Sequence, residues 1–375
     1  MRKRLQERSG ARPTVSDVAR AAGVSTATVS RVLNASAEVS ETLKTRVTET
    51  MEQLGYVRDA SARALATRRS FRLGIIIPSG AGPIVSSILV AFEDSCKTRN
   101  FGMLAVRSNW SRADIQTSFR RQMEHGVEGV FAAGPLDDAD IVSLTSDQEI
   151  ALVSLSDGSL TNSKTIDVAA AKTGNGEATS NTSMPSSPST TDLAPGTIDL
   201  ALCVAARRLA LLLTDMGHRR IAIVTEPHAE APFCAGLAQG VGQGLLAGGF
   251  SGPVVIETTG SLEAGAHVFS ALMEQTMPPT AVLCATDIVA VGMYFEAGRR
   301  GMTIPVDISI AALTSPPTAR AMSPALSGID IDPTEIGRLA ADNLLARIEA
   351  RPVELQVRLH AGLCLRDSLA PPKSG

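Results

Sequence analysis
Apolar residues near the start of the chain recur every three or four positions. Val15, Val18, Ala19 and Ala22 fall on one helical face, and Val29, Val32 and Leu33 on a second. Thr14 stands where a side-chain oxygen caps the first helix, and Asp17, three residues on, can reach back as in a capping box. Gly23 stops that helix, since glycine enters the left-handed region at little cost. Ser25 opens the second helix after a short turn and leaves Thr26, Ala27, Thr28, Ser30 and Arg31 outward. A third helix follows Ser40 and carries Leu43, Val47, Met51 and Leu54. A tight helix pair whose second member has a small, polar N-terminus and one arginine suits insertion into a DNA major groove. An ordinary helical hairpin would show the same spacing.

Beyond residue 72 the pattern changes to short, continuous apolar runs. "RLGIIIPS" reads as a buried strand followed by a helix over roughly 84–99. "GMLAVRS" precedes a helix near 112–125, then "VEGVFAAG". "RRIAIVT", "PVVIETT", "AVLCATD" and "DISIAAL" continue the series, with helical stretches between them. Strands apolar on both faces, alternating with helices, predict a parallel α/β core. The alternation fails between Asp157 and Thr197. From Ala171 to Thr197, 19 of 27 residues are Gly, Pro, Ser, Thr or Asn, too little apolar surface to offset the entropy of ordering. The composition predicts a disordered surface loop near 157–197. A chain lacking residues 171–197 is expected to melt where the full chain does and to bind the same DNA; insolubility, or a melting point many degrees lower, would refute this.

Charge sharpens the picture. Residues 1–72 hold 14 Lys and Arg against 7 Asp and Glu, whereas the whole chain holds 35 against 38. A basic head on an acidic body is the electrostatic footprint of a nucleic-acid binder. At 375 residues the chain exceeds one domain, and removing the head leaves enough for two α/β lobes. No stretch reaches the ~20 apolar residues of a membrane helix. The basic N-terminus lacks the apolar region of a signal peptide, so a cytoplasmic protein with no membrane partner is expected. The five cysteines (Cys96, Cys203, Cys234, Cys284 and Cys364) lie far apart and read as reduced core thiols.

Catalytic chemistry is not signalled. There is no HExxH, Walker loop or GxSxG, and the five histidines, His125, His218, His228, His267 and His360, show no close pairing for a metal. "GVGQG" at 240–244 sits inside a helix-like run and does not follow a strand, which argues against phosphate binding. No catalytic residue, cofactor or metal is expected.

"DVARAAGVSTATVSRVLN" and "LGYVRDASARAL" resemble the helix-turn-helix and hinge motifs of the lactose-repressor (LacI/GalR) family. The resemblance implies that Thr26, Ala27 and Arg31 occupy base-reading positions, with Thr14, Ser25, Thr28, Asn34, Ala62 and Arg63 also against DNA. It implies a hinge over 59–66 that becomes helical only on DNA. It further implies Leu65 as a minor-groove wedge at the operator centre. Arg58 stands where the family usually has proline, and Asp59 where it has asparagine. "MGHRRI", "CATDIVAVG" and "GMTIPVDISI" extend the resemblance through the body. The implied architecture is an all-α helix-turn-helix headpiece (1–58), a hinge and linker (59–72) and an α/β core (73–375). That core would have the two-lobed fold of a type I periplasmic-binding protein. The implied function is a transcriptional repressor that binds a pseudo-palindromic operator in double-stranded DNA as a homodimer, under allosteric control by a small molecule. A cytosolic solute-binding protein or enzyme sharing only the core is the alternative.

The family's effector pocket carries over poorly. In "PSGAGPIV" (78–85), Ser79 replaces an acid, Gly82 an asparagine, and Ile84 and Val85 two aromatics. Ala201 and Leu202 stand at a usual Asp-Asn pair, with Asp199 two residues away. "TSPP" (314–317) replaces two aspartates, and no arginine lies between Arg220 and Arg299. Ser79, Thr286, Asp287 and Thr314 are the remaining effector-site candidates, though Asp287 can equally cap the helix that follows it. Three outcomes stay open: an effector smaller or more apolar than a sugar, an ordinary sugar or nucleoside, or none.

Overall fold
The computed structural model describes residues 13–33, 39–57, 64, 67, 69–136, 139–158, 195–227, 233–250, 252–312 and 317–373. It divides into two compact units, Met1–Ser70 and Phe71–Gly375. In the first unit, α1 (Val15–Ala22), α2 (Thr26–Leu33) and α3 (Glu41–Leu54) close around buried Val18, Ala19, Ala22, Val29 and Val47. These are the apolar positions of the helical pattern. Ser40 is the N-cap of α3, but its side chain makes no capping hydrogen bond.

The second unit holds two six-stranded sheets. The first has strand order β11-β5-β4-β3-β1-β2 and is parallel throughout. Its strands are β1 (Arg72–Pro78), β2 (Gly102–Ser108), β3 (Gly129–Ala132), β4 (Ala151–Ser156), β5 (Gly196–Asp199) and β11 (Gln356–Arg358). The second has order β12-β10-β9-β8-β6-β7, parallel except for the β10–β12 pair. It comprises β6 (Ile221–Thr225), β7 (Val254–Glu257), β8 (Ala281–Cys284), β9 (Ser309–Ala312), β10 (Ser327–Asp330) and β12 (Gly362–Cys364). The helices, α4 (Pro83–Lys97), α5 (Arg112–Glu124), α6 (Ala139–Asp147), α7 (Leu202–Asp215), α8 (Cys234–Ala247), α9 (Leu262–Met273), α10 (Asp287–Arg299) and α11 (Pro333–Ile348), cover the sheet faces. The chain passes between lobes after β5, after β10 and between β11 and β12.

Each apolar run singled out in the sequence is a strand, and the helix expected over 84–99 spans Pro83–Lys97. The segment expected to be a disordered loop, 157–197, runs too far. Gly196 and Thr197 belong to β5, where Thr197 pairs with Ser154 of β4 and Gln356 of β11. A deletion of 171–197 would cut into an inner strand and must stop before Pro195 to spare it; residues 159–194 lie outside the described residues.

His218, almost fully buried, fastens the C-terminal tail to the second lobe. Its Nδ1 lies 2.9 Å from the Thr280 hydroxyl and its Nε2 2.9 Å from the Ala370 carbonyl oxygen. Burial holds its pKa below the ordinary imidazole value, only partly offset by the Ala370 carbonyl. As pH falls through about 6.5 the unfolded chain takes up this proton first. The stabilisation is therefore complete above that pH and is lost below it. Between pH 7.5 and 5.5 the full chain should lose more thermal stability than a His218→Gln variant; equal losses would show that this histidine does not couple folding to protons.

Candidate nucleic-acid interface and interlobe cavity
The headpiece builds one polar surface from local rules. Thr14 and Asp17 form the capping box: the Thr14 amide donates to Asp17 Oδ2 at 3.1 Å, and the Asp17 amide to Thr14 Oγ1 at 3.3 Å. Gly23 ends α1 at φ 66°, where its amide reaches the Ala19 and Arg20 carbonyls. Ser25 then caps α2, accepting from the Thr28 amide at 3.1 Å, with its Oγ 2.9 Å from Thr28 Oγ1. Ser25, Thr26, Ala27 and Arg31 are exposed, while Thr28, expected outward, is half-buried by that contact. Val29 is buried on the opposite side. The N-terminus of α2 thus offers small side chains and backbone N–H groups to whatever approaches it. Arg20 is committed to Asp17 at 3.2 Å; Arg31 makes no ion pair with another described residue. Asn34, Ala62, Arg63 and Leu65, together with Arg58 and Asp59, lie outside the described residues.

A cavity of about 270 Å³ opens between the lobes of the second unit. It lies where the carboxyl ends of β1, β6 and β8 converge, the usual place for a ligand in open parallel sheets. From the first lobe come the turn Gly80–Gly82 and Pro83, Ile84, Val85 and Ile88 of α4; Leu200 and Leu202 flank the first crossing. From the second come Phe233, Cys234 and Leu237 at the start of α8, and Ala285–Ile288 at the start of α10. Most of these side chains are apolar. The acids of the wall are Glu226 and Asp287, and no lysine or arginine belongs to it among the described residues.

The polar end is specific. Thr286 is the N-cap of α10, yet its side chain makes no capping bond; the hydroxyl donates instead to Glu226 Oε1. Glu226 is 5% exposed. Gly260 lets that carboxylate lie close, since a Cβ there would sit 2.7 Å from its oxygens. Asp287 is the first residue of α10, and burial pushes its carboxyl above the ordinary range against the opposing effect of its own and the Ile288 amide. Burial also raises the Cys234 thiol to about 12, which leaves it protonated and unreactive.

Of the effector-site candidates, the structure brings Thr286 and Asp287 into the wall. Ser79 is not part of it: the Ser79 amide is bonded to the Ser108 carbonyl at 2.8 Å, and the Ser79 carbonyl accepts from Arg107. Thr314 lies outside the described residues. Asp199 is engaged elsewhere, with Oδ1 on the Ala201 amide and Oδ2 on Arg358 Nε, each at 2.9 Å. Sequence reasoning missed Glu226. Its signal is an acid directly after an apolar strand run, at the strand end that faces a cleft.

Known proteins resemble both units. Residues 14–59 match the family model for bacterial regulatory proteins of the lacI family, and residues 210–369 match that of a periplasmic-binding-protein-like domain. A ribose operon repressor of Haemophilus influenzae is 26% identical over 348 residues, covering 90% of this chain and 92% of that protein. The HTH-type transcriptional repressor PurR of Proteus mirabilis is 26% identical over 372 residues, covering 95% of this chain and 97% of that protein. Among solved structures, a lac repressor dimer bound to operator and the anti-inducer ONPF superposes with a TM-score of 0.76 at 22% identity, over 96% of this chain and 100% of that one.

Proposed function
The chain belongs to the lacI family of bacterial regulatory proteins, and from that premise we propose how this DNA-binding transcriptional regulator works. It represses transcription by binding a pseudo-palindromic operator as a homodimer. The observation that carries the reading is the exposed N-terminal face of α2 on a closed helix-turn-helix, set in a strongly basic first 72 residues. One such helix reads only a few base pairs, so a two-fold dimer matched to a two-fold operator supplies the rest of the specificity. Thr26, Ala27 and Arg31 face base edges. Thr14, Ser25, Thr28 and Asn34 hold the register on the DNA backbone, together with Ala62 and Arg63 of the hinge over 59–66, in the hinge and linker 59–72. Leu65 wedges into the minor groove at a central CG step.

The α/β core over 73–375 transmits an effector signal from the interlobe cavity, through Thr286 and Asp287. The apolar wall supports an effector other than an ordinary sugar. A hydroxyl buried without a partner costs about 1–3 kcal/mol, and Ile84, Val85, Ile88 and Leu237 supply none. Genomic fragments selected on the full chain at fixed salt test the DNA reading. They should converge on one pseudo-palindrome; retention of DNA without sequence preference would overturn it.

A further inference from the structure
Three features of the interlobe cavity are unlike a site for a polyhydroxylated ligand. Its volume, about 270 Å³, is at the small end for ligand pockets. Its body is hydrocarbon: Ile84, Val85 and Ile88 on one side face Phe233 and Leu237 on the other side of the cleft. Its ionisable oxygens are of one sign and gathered at one end, Glu226 after β6 and Asp287 at the start of α10. The opposite charge is missing on a wider scale as well, since the chain carries no lysine or arginine from 221 to 298.

Charge and shape then select the ligand. An anion would meet two carboxylates, and the described residues of the wall include no lysine or arginine to offset them. A neutral polyol would lose hydrogen bonds to water against the hydrocarbon walls. A cation on a compact apolar body gains at both ends. Its N–H groups make charge-assisted bonds to carboxylate oxygens, and its body leaves water for the apolar wall. The Thr286 hydroxyl fixes the Glu226 carboxylate from one side and the Gly260 backbone packs against it from another, so the acceptor is held in place before a ligand arrives.

We propose that the cavity binds a small primary amine with an aliphatic or aromatic body, its ammonium group held by Glu226 and Asp287. The proposal rests on reading this cavity as the regulator's effector site, and names the chemistry of that effector.

A charge series on one carbon frame tests it with the full, unmodified chain: phenethylamine, phenethyl alcohol and phenylacetate, with cyclohexylmethylamine as a second amine and ribose as the polyol. Binding is read by thermal shift and calorimetry. Both amines should raise the melting temperature saturably. Phenethyl alcohol should bind about tenfold or more weakly than its amine, the factor that ~1.4 kcal/mol represents. Phenylacetate and ribose should give no shift. Glu226→Gln should bring the amine and the alcohol close to equal affinity. If that variant does not fold, Asp287→Asn should narrow the same ratio, and the series on the unmodified chain decides the matter by itself. Equal binding of amine and alcohol, stabilisation by ribose or phenylacetate, or no binding by either amine would overturn the proposal. Operator selection on the same preparation separates the two readings. Selection without amine binding removes the ligand class alone, whereas amine binding without selection removes the regulatory reading and leaves the cavity chemistry standing.

Discussion
Arg31→Ala is expected to cost about 1–3 kcal/mol of operator affinity, the worth of one bidentate arginine–guanine contact, and to flatten sequence preference at one position of each half-site. The side chain is exposed on the same helix as the small residues Thr26 and Ala27, and it is not tied to a neighbouring acid among the described residues. Arg20 is the internal comparison. It is also exposed, but it is paired with Asp17 at 3.2 Å beside the capped start of α1. An exposed pair of this kind is worth little, so Arg20→Ala should leave specificity intact and change only the salt-dependent background. Titrations against the selected operator and against single-base variants, each at two salt concentrations, distinguish the roles. If Arg31→Ala weakens every sequence alike and lowers the salt slope by about one, Arg31 contacts a phosphate and reads no base.

How legible these features were in the sequence depended on the range of the interaction that fixes them. The headpiece is written locally: Thr14 with Asp17, Gly23 at its positive φ, and apolar residues at helical spacing. Strands β1, β6 and β8 are apolar runs buried on both faces and announce themselves. Strands β11 and β12 do not, because each has three residues and its pairing is set by partners far away in the chain. The cavity was half legible. Loss of polar positions around 78–85 pointed to an apolar wall, and Ile84 and Val85 do line it. Glu226 was signalled only by its place directly after the apolar run of β6; what marks it out is its contact with Thr286, 60 positions later, and with the Gly260 backbone. Ser79 matches a ligand-contacting position in the sequence, yet its neighbours Pro78 and Gly80 line the cavity and it does not.

The glycine-rich "GVGQG" of α8 should behave as a packing seam, with opposite outcomes two residues apart. A Cβ at Gly240 would lie 2.1 Å from the Cys203 carbonyl oxygen, and one at Gly244 would lie 2.6 Å from that of Arg207. Both obstacles are backbone atoms of α7, which cannot rotate aside as a side chain would. At Gly242 no heavy atom lies within 4 Å of the same position. Replacing glycine by alanine inside a helix favours folding by roughly 0.5–1 kcal/mol through backbone entropy. At Gly242 that gain stands alone, so Gly242→Ala should stabilise. At Gly240 it is outweighed by overpacking, typically about 1–3 kcal/mol, so Gly240→Ala should destabilise. The displacement would also reach the cavity, because Phe233, Cys234 and Leu237 at the start of α8 form part of its wall. Urea denaturation of both variants beside the parent checks the sign at each position. A Gly240→Ala chain as stable as the parent would mean that α7 and α8 are not in this close contact. The seam would then lose its role in shaping the cavity wall.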